Sequence, residues 1–258
     1  MATLTATPLT GNSPPAVSLE LVWSGPTSVT VERLEADGRW HPVRGGEPGT
    51  LSGGAWTGFD YEVPYGQSVT YRATSTTDAS APTSTVVVLA ASHAWLVHPG
   101  VPGLSCELLV KSAGERVRAA RRGIFEPVGR ATPIVVSSVR SRAQWPLTVL
   151  TRSAVDRREL DDLLDDGSPL LLNVDTGNGW GIDPCYVSVG DVTEARRMEY
   201  LAEQDRWWSL PLVEVDRPAG GLTRQWTVDA LVVEQATIDS VVAAYATVSD
   251  LAAHRSVA

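Results

Sequence analysis

The stretch Arg122-Gly123-Ile124-Phe125-Glu126-Pro127-Val128-Gly129-Arg130 decides how this chain is read, together with Ile134-Val135-Val136, Pro146-Leu147-Thr148-Val149-Leu150 and Pro169-Leu170-Leu171-Leu172-Asn173 downstream. Short apolar runs bounded by Gly and Pro predict strands, and the segment before Pro169 predicts a helix. Strand, strand, helix and strand therefore follow one another within about fifty residues. The helix is argued from local chemistry: Ser153 followed three residues later by Asp156 is an N-cap pair, Leu160, Leu163 and Leu164 share one face, and Gly167 with Pro169 stops it. Its other face carries Glu159, Asp161, Asp162, Asp165 and Asp166. Carboxylates near a helix C-terminus face the negative end of the macrodipole and are mildly destabilising there. Such a cluster requires solvent or a role.

The chain has 258 residues, enough for a sizeable core and for one or two domains, with two the better reading. A hydrophobic content of 43% disfavours disorder and fibrous repeats. No run approaches the ~20 apolar residues of a membrane span, and the N-terminus lacks the layout of a signal peptide, so a soluble protein made in a cytoplasm is expected. The net charge of −9 argues against specific nucleic-acid binding, which needs clustered positive charge. Arg116, Arg118, Arg121 and Arg122 form the basic cluster, expected to pair with carboxylates on a wet strand or across a subunit contact. Two cysteines, Cys106 and Cys185, lie far apart in sequence; buried thiols are the default for a protein folded in a cytoplasm, and pairing is not decided by the sequence.

Residues 1–92 read as an all-β sandwich. Val17, Leu19, Leu21 and Trp23 alternate with polar neighbours, Val29 and Val31 repeat the pattern, and Asp37-Gly38 turns the chain before Trp40. Beyond Trp56, the residues Phe59, Tyr61 and Val63 alternate, Pro64-Tyr65-Gly66 turns, Val69, Tyr71 and Ala73 alternate again, and Val86 with Val88 closes the set. About seven short strands in about ninety residues is the rhythm of an immunoglobulin-like sandwich without its paired cysteines, similar to a fibronectin type III module. Pro99 and Pro102 with Gly100 and Gly103 then mark a boundary, and residues 93–218 form a second, β-rich domain. In it Cys185 to Val189 and Trp208 to Val215 read as long strands, the latter with a bulge, joined by a mixed-charge segment that reads as a solvated connection or a hairpin. In the extension 219–258, Ile238, Val241, Val242, Tyr245, Val248 and Leu251 predict an amphipathic helix from Thr237 to Ala253.

Chemical motifs are scarce. His93 and His98 flank the Pro99 turn instead of sharing a helix face, so no zinc site is expected. Asp161, Asp162, Asp165 and Asp166 lack the alternating spacing of a calcium loop. The run Gly177-Asn178-Gly179-Trp180-Gly181 precedes a strand and not a helix, so it reads as a hairpin tip offering Trp180 to a partner, with folding back onto the sheet as the alternative. No Gly-x-Ser-x-Gly elbow occurs, and nothing near Ser105 or Cys106 would activate either. No cofactor, metal or catalytic residue is expected, although a glycosidase pair is defined in space and not in sequence.

The order Arg121-x-Gly123-x-Phe125, Gly129-Arg130, Pro133, Val136-Ser137, Leu147, Leu150-Thr151, Leu160, Leu163-Leu164, Gly167 and Pro169 to Leu172 resembles the β-rich core of minor tail proteins from long-tailed actinobacterial phages, which are similar to distal tail proteins. The resemblance spans Trp95 to Pro218. It implies a mainly β structural protein of the virion's tail tip or baseplate, not an enzyme, that forms a self-assembled ring of six or three copies between tail tube and tip. Other tail-tip proteins would be its partners, and the ring would surround the DNA channel. Strand edges in need of cover point the same way, since ring closure supplies that cover. In such a ring the helical carboxylates Asp161, Asp162, Asp165 and Asp166 are candidates to face the channel and repel DNA phosphates, while Arg121, Arg122 and Trp180 are candidates for protein contacts. A carbohydrate-binding accessory protein that recognises a host-surface glycan is the alternative, and a cell-wall glycan hydrolase comes third.

Overall fold

Alternation of apolar and polar residues sets up the first layer of the fold. Val17, Leu19 and Leu21 all point inward and are fully buried, as are Val29, Val31, Tyr71 and Ala73 on facing strands. The computed structural model describes residues 2–35, 37–179, 181–198 and 203–219. In its first part, β1 (Thr3–Leu9), β2 (Ala16–Val22), β3 (Ser28–Leu34), β4 (Trp40–Pro42), β5 (Gly49–Thr50), β6 (Ala55–Asp60), β7 (Ser68–Thr74) and β8 (Val87–Val88) form two antiparallel sheets. One sheet has the order β1-β2-β6, and the other β4-β3-β7-β8 with β5 attached to β3. This is the strand distribution of an immunoglobulin-like sandwich. The Asp37-Gly38 turn forms as read, with Glu35 N donating to Arg39 O at 3.1 Å and Gly38 at φ 76.

Two alternations run one residue out of phase with the reading. In β6 the inward residues are Trp56, Gly58 and Asp60, and Phe59 is exposed. Asp60 is tolerated inside because Arg33 pairs with it at 2.5 Å and the Tyr71 hydroxyl donates to it at 3.0 Å. At the end of the sandwich Val87 and Leu89 are the buried residues, while Val86 and Val88 face solvent.

The second part contains β9 (Ala94–Val97), β10 (Cys106–Ala113), β11 (Arg122–Phe125), β12 (Ile134–Ser137), β13 (Gln144–Thr151), α1 (Ala154–Asp165), β14 (Leu170–Asn173), β15 (Cys185–Val189), β16 (Thr193–Arg196) and β17 (Arg206–Glu214). The order β13-β10-β9-β14-β15-β17 closes on itself, because β17 pairs with β13 from Gln144↔Val213 to Thr151↔Arg206. The barrel therefore covers the edges of these six strands without help from another subunit. Leu147, Val149, Leu170, Leu172, Val187, Leu210 and Leu212 fill its interior, with Leu160 and Leu163 of α1 packed into the same core. The expected bulge is absent from β17, where Trp208, Leu210 and Leu212 alternate regularly; it lies in β10, between Val110 and Ser112. Cys106 and Cys185 are free thiols. Trp180 and the amphipathic segment from Thr237 to Ala253 lie outside the described residues.

Sandwich and barrel share a second core. Ala94 and Leu96 of β9 point into the barrel, whereas Trp95 and Val97 join the sandwich cluster; on β14, Leu170 and Leu172 point inward and Leu171 joins the sandwich. Both strands are buried on both faces, which is why they read as unbroken apolar runs. Asn173, fully buried, extends the contact by accepting from Tyr65 N at 3.3 Å and donating to Val63 O at 2.8 Å. Gly66 meets the barrel here as well: its φ is 72, and a Cβ on it would sit 2.3 Å from an Asp175 carboxylate oxygen. Glu62 completes the junction by pairing with Arg44 at 2.9 Å and with Arg217.

Candidate assembly surface

Between β10 and β13 the chain leaves the barrel and returns. The exit is shaped by the β10 bulge and by Gly114, whose N–H donates to Pro146 O at 2.8 Å in a space where a Cβ would collide with the proline ring at 2.5 Å. Backbone pairing continues outward through Val117 and Gln144 (2.8 and 2.9 Å), Ser141 N to Ala119 O (3.0 Å) and Ser138 N to Arg121 O (2.8 Å), and reaches the β11–β12 ladder. Arg130 N donates to Pro127 O at 3.3 Å in the turn at the tip. At the root, Arg116 lies 4.8 Å from the Trp145 ring centre and 3.5 Å from Glu214, and Arg142 bridges Glu214 and Asp216 at 3.3 and 2.6 Å.

Every residue from Glu115 to Arg140 on this arm is exposed. The run Ile134 to Val136, read as an ordinary strand, is among the described residues a strand with no core to pack on, because β11 and β12 form a separate two-stranded sheet. The register puts Phe125 opposite Ile134 and Gly123 opposite Val136 on one face, with Ile124 opposite Val135 on the other, so both faces are apolar and wet. An isolated two-stranded hairpin is marginally stable in water, and contiguous exposed apolar surface marks a contact site. Arg121 and Arg122 sit on this arm, and among the described residues their guanidinium groups form no ion pair; of the four arginines read as a cluster, Arg116 alone has a carboxylate partner.

The acidic helix is built as its sequence predicts. Ser153 Oγ accepts from Asp156 N at 3.1 Å, and Asp156 accepts from Ser153 N at 3.1 Å, a reciprocal capping box. The Ser153 hydroxyl bond, ahead of the backbone donors Arg152 and Ser153, holds the Asp156 carboxyl below its ordinary range. Asp161, Asp162, Asp165 and Asp166 are all exposed, yet they differ in surroundings. Asp166 is the C-cap and accepts from His98 Nε2 at 2.9 Å; the Ser168 hydroxyl first, and His98 second, lower its pKa. His98 is buried, and its Nδ1 accepts from Gly100 N at 3.1 Å and Val101 N at 2.9 Å, which leaves the proton on Nε2. Asp161 is shifted upward by desolvation and then by Glu194 of β16, which also pairs with Arg157 at 3.8 Å and Arg206 at 3.1 Å. At 100° per residue, Asp161 and Asp165 lie on the flank toward β16, and Asp162 and Asp166 on the flank toward His98.

Beside the β16 flank runs a small open groove between the end of α1 and the turn after β15, lined by Leu163, Leu164, Leu170, Val189 and Val192. The remaining chemical groups have structural surroundings. Ser105 Oγ accepts from His98 N at 3.0 Å, and burial pushes the thiols of Cys106 and Cys185 up to about 12 and about 11, away from the nucleophilic thiolate. His93 pairs with Glu107 on the surface. Among the described residues no three His, Cys, Asp or Glu side chains stand together at metal-binding distance. Beyond the cluster Arg116, Arg118, Arg121 and Arg122, the signal not read from the sequence is that Arg130, Arg140 and Arg142 extend it to either side of unbroken Ile134-Val135-Val136.

The chain matches no protein-family model and no curated protein sequence. Among solved structures it is similar to the Dit protein of phage SPP1, described as a paradigm of the hub adsorption apparatus of phages that infect Gram-positive bacteria. The likeness has a TM-score of 0.34 at 12% identity and covers 48% of this chain, which spans 50% of that one.

Proposed function

We propose that this chain is a structural component of a phage tail tip or baseplate that assembles with copies of itself into a ring between tail tube and tip. The observation that carries the reading is the arm: a hairpin apolar on both faces, projecting from a barrel that has already closed its own edges. Such an element suits a self-assembling scaffold, in which a neighbouring copy can cover it. The sequence resemblance to minor tail proteins supplies the setting, a virion tail, and the expected copy number of six or three. In that ring α1 turns one flank to the DNA channel, where Asp162 and Asp166 repel phosphates that a basic lining would trap. Trp180 remains a candidate contact with a neighbouring protein or a glycan.

The test is the oligomeric state of the full chain, by native mass spectrometry and electron microscopy, alone and with its tail neighbours. A closed ring is expected, with an interface on the order of 2,000 Å² or more per contact. A monomer at every concentration and with every neighbour overturns the reading.

A further inference from the structure

Resting on that self-assembly reading, we infer that the arm of one copy lies across the α1–β16 flank of the next, with arginines on Asp161 and Asp165 and its apolar face over the groove beside Leu164. Charge selects this partner. Residues 114–142 contain seven arginines and two glutamates on a chain whose net charge is −9, so the remainder of the molecule carries the sign the arm lacks. The flank offers Asp161, Asp165 and Glu194 within one surface; Glu194 already pairs with Arg157 and Arg206, and what an incoming cation would relieve is the desolvation of Asp161 and its repulsion by Glu194 and Asp165, which Arg157 offsets only in part.

Shape agrees with charge. Phe125 and Ile134 are neighbours on one arm face, 59% and 43% exposed, and the small groove between Leu164, Val189 and Val192, whose lining also includes Gly167, Ser168 and Gly190, lies at the edge of the acidic surface. Among the described residues the outer edge of β16 has no strand partner, so an arm laid along it also meets open backbone groups. Reach is sufficient: about fourteen residues from root to tip at roughly 3.3 Å each extend ~45 Å, well past the arm's own barrel. Nucleic acid is the other occupant that arginines suggest, but it has no use for Phe125, Ile134 and Val136 on the same face.

The experiment is a charge exchange on the full chain, followed by sedimentation velocity over a concentration series at physiological salt. The arm variant Arg121→Glu with Arg122→Glu, and the flank variant Asp161→Arg with Asp165→Arg, are each expected to weaken association by roughly tenfold or more, and an equimolar mixture or the combined variant to recover it. Phe125→Ser is expected to weaken association without altering charge. All of these residues are exposed, so thermal unfolding of the monomer serves as the folding control and stays unchanged. Wild-type assembly with both charge variants unaffected overturns this contact and leaves the ring reading intact; a wild-type chain that never associates overturns both. Loss of duplex DNA binding by the arm variant, with association unchanged, overturns the contact and assigns the arm to nucleic acid.

Discussion

Two apolar triplets in this molecule look alike and fold into opposite situations. Leu170-Leu171-Leu172 in β14 is almost entirely buried, with Leu171 and Leu172 4% and 1% exposed, whereas Ile134-Val135-Val136 in β12 is open to solvent, with Val135 and Val136 at 52% and 61%. Both are strands without alternation, the pattern of a strand covered on two sides. For β14 both covers come from the same chain, the barrel interior on one side and the sandwich on the other. For β12 neither cover is present among the described residues. An unbroken apolar strand thus states that two covers exist, without stating that one molecule holds both.

The largest test of this contrast removes matched side chains from the two triplets. Leu172→Ala should cost about 2–5 kcal/mol of unfolding free energy through a cavity in the barrel core, while Val136→Ser should stay within about 0.5 kcal/mol for the monomer and act on assembly instead. Urea unfolding at a concentration where the chain is monomeric reads both. Equal losses at the two sites would show that the arm packs on its own molecule.

A smaller effect probes the second cover of β14. Asn173→Ala strands Val63 O and Tyr65 N in a buried junction and should cost about 1–3 kcal/mol. If the sandwich is a separable unit of about ninety residues, as its sequence suggests, this substitution should also hasten proteolytic release of an N-terminal fragment. Release at the wild-type rate would show that Asn173 does not couple the two parts.

The smallest effect concerns α1, which sets the acidic flank. Ser153→Ala should cost about 0.5–2 kcal/mol by removing the N-cap. Because the folded Asp156 carboxyl is held below its unfolded value of about 3.9, its contribution is fully present above that pH and is lost as pH falls through the lower folded value. The difference between wild type and Asp156→Asn in urea should therefore shrink below about pH 4. A difference that persists at pH 2 would assign the loss to packing.

Much of the architecture was legible because it depends on neighbours in sequence. The capping box needs only Ser153 and Asp156 three residues apart, and the Asp37-Gly38 hairpin needs one residue that accepts a positive φ. Phase errors arose where alternation was anchored on the wrong member: in the two-residue strand β8 the inward residue is Val87, while Val88 and the preceding Val86 face solvent, and in β6 the inward place taken by Asp60 is polar because Arg33 waits opposite. The acidic candidates were found as a group, but their division into two flanks depends on His98 and Glu194, which lie 68 residues before Asp166 and on β16 respectively.

By itself the sequence determined the capped acidic helix, the net charge, and the turns and those strands marked by local pattern, with β1, β9 and β10 not among them, since each follows from residues within a few positions of one another or from composition alone. Only the tertiary structure decided that β17 closes the barrel on β13, that β9 and β14 are shared by two cores, and that among the described residues the apolar hairpin has none. Those outcomes turn on which surfaces meet across some 55 to 110 residues, and a run of Ile and Val carries the same drive to leave water whether its cover lies in its own chain or in another.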